Sequence, residues 1–248
     1  MPDPALFALT WRVTRRRVLA SAPAIAAGLA FPAFIVWIGL AHSYGTAAKL
    51  FYFLLPYAFL IAAQDSVRAD LDSGALENAL FAGGRFRDFL RTRAIIMAAA
   101  AGAYALALFG LFAAWGLAAG GFRATDLIRL GLAFVAGFYY VALAGVLGHF
   151  VGGGANVLSL LLAQAGAVLV ILFTTSTRTG LLDHAASGSF PGLGPKLLFA
   201  GLAALVPNVT VAGRPSPFAA EVAFLLLVIG VLWSRLIRGL EVRGGRGS

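Results

Sequence analysis

Residues Ala94–Gly120 read AIIMAAAAGAYALALFGLFAAWGLAAG, a run of 27 residues without one charge. As an α-helix it would extend about 40 Å, more than the ~30 Å of hydrocarbon in a bilayer. It is apolar on every side, so no water-facing stripe is left for a surface helix of a soluble protein. The run reads as a transmembrane span, and the segments flanking it decide how many more there are.

Working outward, similar apolar stretches fall at about 20–41, 44–63, 127–151, 157–177 and 218–237. The expected fold is therefore all-α: a polytopic integral membrane protein of six transmembrane helices, with residues 1–248 forming a single domain. Composition agrees, with 60% hydrophobic residues, 12% charged and a mean hydropathy of +0.90. An ordinary globular chain carries about 25% charged residues. Ala5–Leu19, with Trp11, Arg12, Arg15, Arg16 and Arg17 among apolar residues, suits an interfacial helix leading into span one. The first span is too long, and lacks too clearly a small-residue cleavage site, to read as a secretory signal. Leu197–Val206 precedes Pro207 and is too short to cross, so it reads as a re-entrant or interfacial segment before the last span.

The net charge of +9 would suggest nucleic acid in a soluble protein, but the basic residues cluster between apolar runs. Arg12, Arg15, Arg16 and Arg17 precede span one. Arg68, Arg85, Arg87, Arg91 and Arg93 lie between spans two and three, and Arg235, Arg238, Arg243 and Arg246 follow the last span. Only Lys49, Arg123, Arg129, Arg178, Lys196 and Arg214 fall to the other side. The positive-inside rule then places both termini and the long loop 64–93 in the cytoplasm of a bacterial inner membrane, with lipid, not nucleic acid, as the surrounding partner.

Catalytic constellations do not stand out. The chain has no cysteine, and His42, His149 and His184 share no metal-ligand spacing. No Gly-x-x-x-x-Gly-Lys-Ser/Thr phosphate loop occurs, so neither cofactor nor metal is expected on this chain, and no enzymatic activity of its own. Three polar residues in or beside spans are candidates for a substrate path or for interhelical hydrogen bonds: His149, Asn156 and Gln164. Packing is the simpler role for Asn156 and Gln164, and a headgroup-level position is the simpler reading of His149.

The most informative segment is Arg68-Ala69-Asp70-Leu71-Asp72-Ser73-Gly74-Ala75-Leu76-Glu77-Asn78-Ala79-Leu80. Leu71, Ala75, Leu76 and Leu80 recur at helical spacing, Gly74 permits close approach of another backbone, and Asp72 and Glu77 present charge. A short amphipathic helix at the membrane surface is the expected outcome. The positions Arg68, Asp70, Gly74, Leu76 and Glu77, followed by Arg85, Arg87, Arg91 and Arg93, resemble the signature of type 2 ABC exporter permeases. The order of an N-terminal interfacial helix, six spans and a short re-entrant segment is similar to that family along nearly the whole chain.

The resemblance implies that Arg68, Asp70, Leu71, Asp72, Gly74, Leu76, Glu77 and Leu80 belong to a coupling helix that seats in a separate ATP-binding cassette subunit. Two copies of that subunit would hold the ATP and Mg, and a second permease copy or paralogue would complete the assembly. Arg68–Glu77 is similar to the permease of the cytochrome c maturation haem exporter, the CcmB type. The prolines that type carries in its fifth span are absent, however, with Gln164 and Val168 near those positions. The continuation through Pro207, Pro215 and Pro217 looks more like general drug, lipid or polysaccharide exporters, and both subgroups stay open. Two other classes compete on physical grounds: an ion-coupled carrier or channel using Gln164, His149, Asp183 and His184, and a non-transporting scaffold for which loop 64–93 is a docking site.

Overall fold

In the computed structural model, residues 4–20, 22–63, 86–147, 154–175, 184, 189–205, 227–228, 230–231 and 234 are described. Among these residues the structure is all-helical. Its helices are α1 (Pro4–Ala20), α2 (Ala22–Ala41), α3 (Tyr44–Ala63), α4 (Phe86–Ala118), α5 (Ala124–Leu147), α6 (Gly154–Thr175) and α7 (Leu193–Leu205). Three segments are long and apolar enough to cross a membrane: Tyr44–Ala63, Arg91–Ala118 and Ala124–Ala144. They mark a helical membrane protein. The apolar stretches Gly28–Ala41 in α2 and Leu158–Val170 in α6 are shorter.

The bundle is built around α3. Its most extensive interface is with α5, followed by those with α4 and α2. The buried residues Ala47, Ala48, Phe51, Tyr52, Leu55, Phe59, Leu60 and Ala63 run along almost its full length. Small residues bring the helices close. A Cβ on Gly137 of α5 would lie 2.6 Å from the ring of Phe59, and Cβ atoms on Gly116 and Gly121 would collide with Tyr44. Tyr44 stacks on Phe112 with ring centroids 4.9 Å apart, and Phe112 stacks on Phe51 at 4.6 Å. These contacts put the α2–α3 and α4–α5 turns at the same end of the bundle, so α3 and α4 run antiparallel.

Both turns are closed by local hydrogen bonds. Ser43 Oγ accepts from Thr46 N–H at 3.2 Å, an N-cap for α3. α4 ends in a Schellman motif: Gly121 N–H donates to Gly116 C=O at 2.8 Å and Gly120 N–H to Leu117 C=O at 3.2 Å. Gly120 takes φ +65°, a conformation that favours glycine. α5 opens with Asp126 reaching back to Arg123 N–H at 3.0 Å, half of a capping box, while its other oxygen pairs with Arg129 at 3.1 Å.

The boundaries shift where charge alone suggested a loop. α4 begins at Phe86, whereas the sequence reading ran the loop to Arg93. No glycine or proline interrupts Phe86–Arg93, Asp88 sits in the favourable first turn, and α1 packs against α4, so this charged stretch continues the helix. Thr92 and Arg93 are buried there, as are Thr10 and Thr14 on α1. α1 thus leans on another helix. α5 starts at Ala124 and α6 at Gly154, three residues before the expected span starts at 127 and 157, because each span carries a polar or small-residue first turn. The short helix expected at Leu197–Val206 appears as α7, which at 13 residues is about 20 Å long and packs on α6.

Proline is accommodated inside α2 by a neighbour. Pro32 has no N–H to give to the carbonyl of Gly28, four residues before it. The Tyr104 hydroxyl of α4 donates to that Gly28 carbonyl. In hydrocarbon no water can take this role, so the tyrosine repairs the gap from outside the helix. Replacing Tyr104 with Phe should destabilise the parent protein by about 1 kcal/mol, but much less in a Pro32→Ala background, where the new N–H can bond Gly28 itself. Unfolding titrations in mixed micelles of the four variants would check this; equal losses in both backgrounds would sink the explanation.

Candidate functional site

The sequence-derived site residues fall into two groups. Arg68, Asp70, Leu71, Asp72, Gly74, Leu76, Glu77 and Leu80 lie outside the described residues, as does His149. The described part of the loop region is its helical end, Phe86–Arg93. Asn156 lies in the first turn of α6. Gln164 lies two turns further along and is buried, with 3% of its surface exposed.

Gln164 joins three helices. Its Oε1 accepts from the Tyr57 hydroxyl of α3 at 2.8 Å, and its Nε2 donates to the Tyr140 hydroxyl of α5 at 2.8 Å. The rings of Tyr57 and Tyr140 stack with centroids 5.5 Å apart. The local reasons are legible. On α6, Leu160, Gln164 and Ala167 repeat at helical spacing and are the buried stripe, while Leu158, Leu161, Leu162 and Leu169 are exposed. On α3, Tyr57 follows Pro56, and on α5, Tyr140 is fully buried in the central core.

This arrangement is a polar joint inside an apolar bundle. It can hold α6 in one rotational setting, because an amide meets both hydroxyls only there. It can also present hydroxyl and amide groups to a polar group passing between helices. The sequence singled out Gln164 but not Tyr57 or Tyr140. The available signal was weak: a tyrosine well inside an apolar run requires a partner for its hydroxyl, but many such tyrosines reach the interface instead.

A second polar group sits at the turn end, where Asp126 is 2% exposed and paired with Arg129. The hydroxyls of Tyr44 and Tyr52 are buried there with no hydrogen-bond partner among the described residues. His184, considered as part of an outer polar path, has its Nδ1 2.9 Å from the Ser189 carbonyl and its ring beside Phe190. Asp183 lies outside the described residues. Among the described residues no group of three His, Asp or Glu side chains could hold a metal ion. No family model, curated protein or solved structure matches this chain.

Proposed function

We propose that this chain is the membrane-spanning permease subunit of an ATP-driven exporter, coupling ATP hydrolysis on a separate nucleotide-binding subunit to export or flipping of a substrate. The observation that carries the reading is the segment Arg68–Leu80, with its Asp70, Gly74, Leu76 and Glu77 pattern, lying between two membrane-length helices. α3 and α4 run antiparallel, so Ala63 and Phe86, which flank segment 64–85, both lie toward the end of the bundle opposite the short turns. A docking helix needs such a double tether if a push on it is to move helices instead of bending a tail.

In this reading α2 to α6 and residues 218–237 make six spans, and both termini face the cytoplasm of a bacterial inner membrane. Two permease copies, or a copy and a paralogue, pair with two ATP-binding subunits that hold the ATP and Mg. Closure of those subunits presses on Arg68–Leu80. The force passes into α3 and α4 and reaches α6 through the Tyr57–Gln164–Tyr140 joint.

The test is co-purification from native membrane followed by reconstitution. An ATP-binding subunit should accompany the chain, and Glu77→Arg or Gly74→Leu should cut transport per ATP about tenfold, the scale of a coupling free energy of ~1.4 kcal/mol. Transport by the purified chain alone in liposomes would favour a carrier or channel instead. Partners without ATPase activity would favour a scaffold.

A further inference from the structure

An apolar groove of about 220 Å³ opens between α2 and α4, on the half of the bundle nearest the two short turns. Pro32, Val36 and Leu40 form one wall, and Leu108 and Leu111 the other. The stacked rings of Phe51 and Phe112 make the floor. Trp115 closes the end next to the turns, its ring lying across Gly39, where any Cβ would collide with it. From Pro32 to Leu40 the groove follows α2 for about 12 Å, close to the depth of one leaflet's hydrocarbon.

We propose that this groove binds one acyl chain of a phospholipid from the leaflet at the turn end. Three observations lead to that occupant. The floor comes from Tyr44–Ala63 (Phe51) and Arg91–Ala118 (Phe112), and one wall also from Arg91–Ala118, both membrane-length segments, so the mouth opens at hydrocarbon depth. The rim residues Val36, Leu40 and Leu111 are 48%, 77% and 72% exposed, so the described residues leave the mouth open. The lining is almost wholly apolar, with Trp115 its one side chain that carries a polar group, and the one backbone carbonyl that Pro32 frees, that of Gly28, is already bonded by Tyr104.

Water needs two to four polar partners and finds few in such a space, and leaving it empty forfeits dispersion contacts along both walls and the floor. A cavity of about 150 Å³ is enough for benzene, so this groove accepts a longer hydrocarbon. An acyl chain lying in it touches α2, α3 and α4 at once, unlike a lipid that meets one helix face. The site is independent of what the chain transports.

Trp115 supplies the readout. The full chain, with Trp11, Trp37 and Trp233 changed to Phe, is reconstituted in phosphatidylcholine vesicles containing a graded fraction of lipid brominated on its acyl chains. A companion protein keeps only Trp37, which is 61% exposed on α2, as the reporter of ordinary surrounding lipid.

Trp115 fluorescence should fall linearly with the brominated fraction, as for a single lipid position, and Trp37 more steeply, as for several. Val36→Phe and Leu111→Phe fill the groove from opposite walls. Each should remove at least half of the Trp115 quenching while leaving the Trp37 curve in place, which also reports that the protein is folded; one well-folded variant suffices. Absence of Trp115 quenching would overturn the proposal by showing protein over the groove. Quenching unaffected by either filling substitution would overturn it as well.

Discussion

Gly137→Leu is expected to abolish the folded bundle, while Gly131→Ala on the same helix leaves it intact or slightly more stable. α3 and α5 share the most extensive interface in the structure, and Gly137 is where the α5 backbone comes against Phe59. Phe59 cannot move aside. It is fully buried, with the rings of Phe134 and Phe138 at 5.5 Å and 5.9 Å, and a Cβ at position 137 would lie 2.6 Å from both Cγ and Cδ2. Alanine already overpacks this point, at a cost of about 1–3 kcal/mol, offset by up to ~1 kcal/mol of helix propensity. Leucine adds three more carbons with no space to take them.

Among the described residues no atom lies within 4 Å of where a Cβ on Gly131 would sit, so there only the propensity gain remains. Thermal unfolding in detergent, followed by helical circular dichroism, separates the two variants. A Gly137→Leu protein melting with the parent would show that the α3–α5 approach is not as close as described. Partial recovery in Phe59→Ala/Gly137→Leu would identify the clash itself.

Gln164→Leu should lower stability by about 2 kcal/mol, from loss of two interhelical hydrogen bonds worth roughly 1 kcal/mol each in a membrane. Volume is nearly kept, so the loss reports polarity and not a cavity. Tyr57→Phe and Tyr140→Phe should each cost about half as much, and less once Gln164 is leucine, when the two hydroxyls keep only their bond to each other. The non-additivity expected in each double-mutant cycle is at least about 0.5 kcal/mol. Simple additivity across both cycles would mean that the amide and hydroxyls do not act together. If the joint transmits motion to α6, Gln164→Leu should also reduce transport under conditions in which the protein remains folded.

Several features were legible because they depend on local chemistry. The helix start at Tyr44 and the end of α4 near Gly120 were read within two residues, whereas the start at Ala124, opened by Arg123 and Asp126, was placed three residues late, at 127. Apolar runs near 44–63, 94–120 and 127–151 fall in helices, the second of which begins eight residues before the run does. Charge misled at Phe86–Arg93, since a loop and the exposed turns of a helix can carry the same arginines. Burial of Thr92 and Arg93 depends on α1 arriving from far along the chain, and no neighbour of these residues in sequence announces it.

The polar site shows the same division. Gln164 stood out because an amide in an apolar run needs a partner. The partner's identity was not readable, since Tyr57 and Gln164 are 107 residues apart and Tyr140 and Gln164 are 24 apart. Likewise Pro32 signalled a missing hydrogen bond, but not that Tyr104 would supply its replacement.

By itself, the sequence determined that this is a helical membrane protein, because the free energy of moving long uncharged runs out of water depends on composition and length and hardly on which helices meet. The tertiary structure alone decided which faces of those helices are joined. In a bundle that faces lipid, greasy surface is no guide to the inside; the pairing of Gly137 with Phe59 and of Gln164 with Tyr57 and Tyr140 rests on shape and directed hydrogen bonds, which exist only once distant segments are brought together.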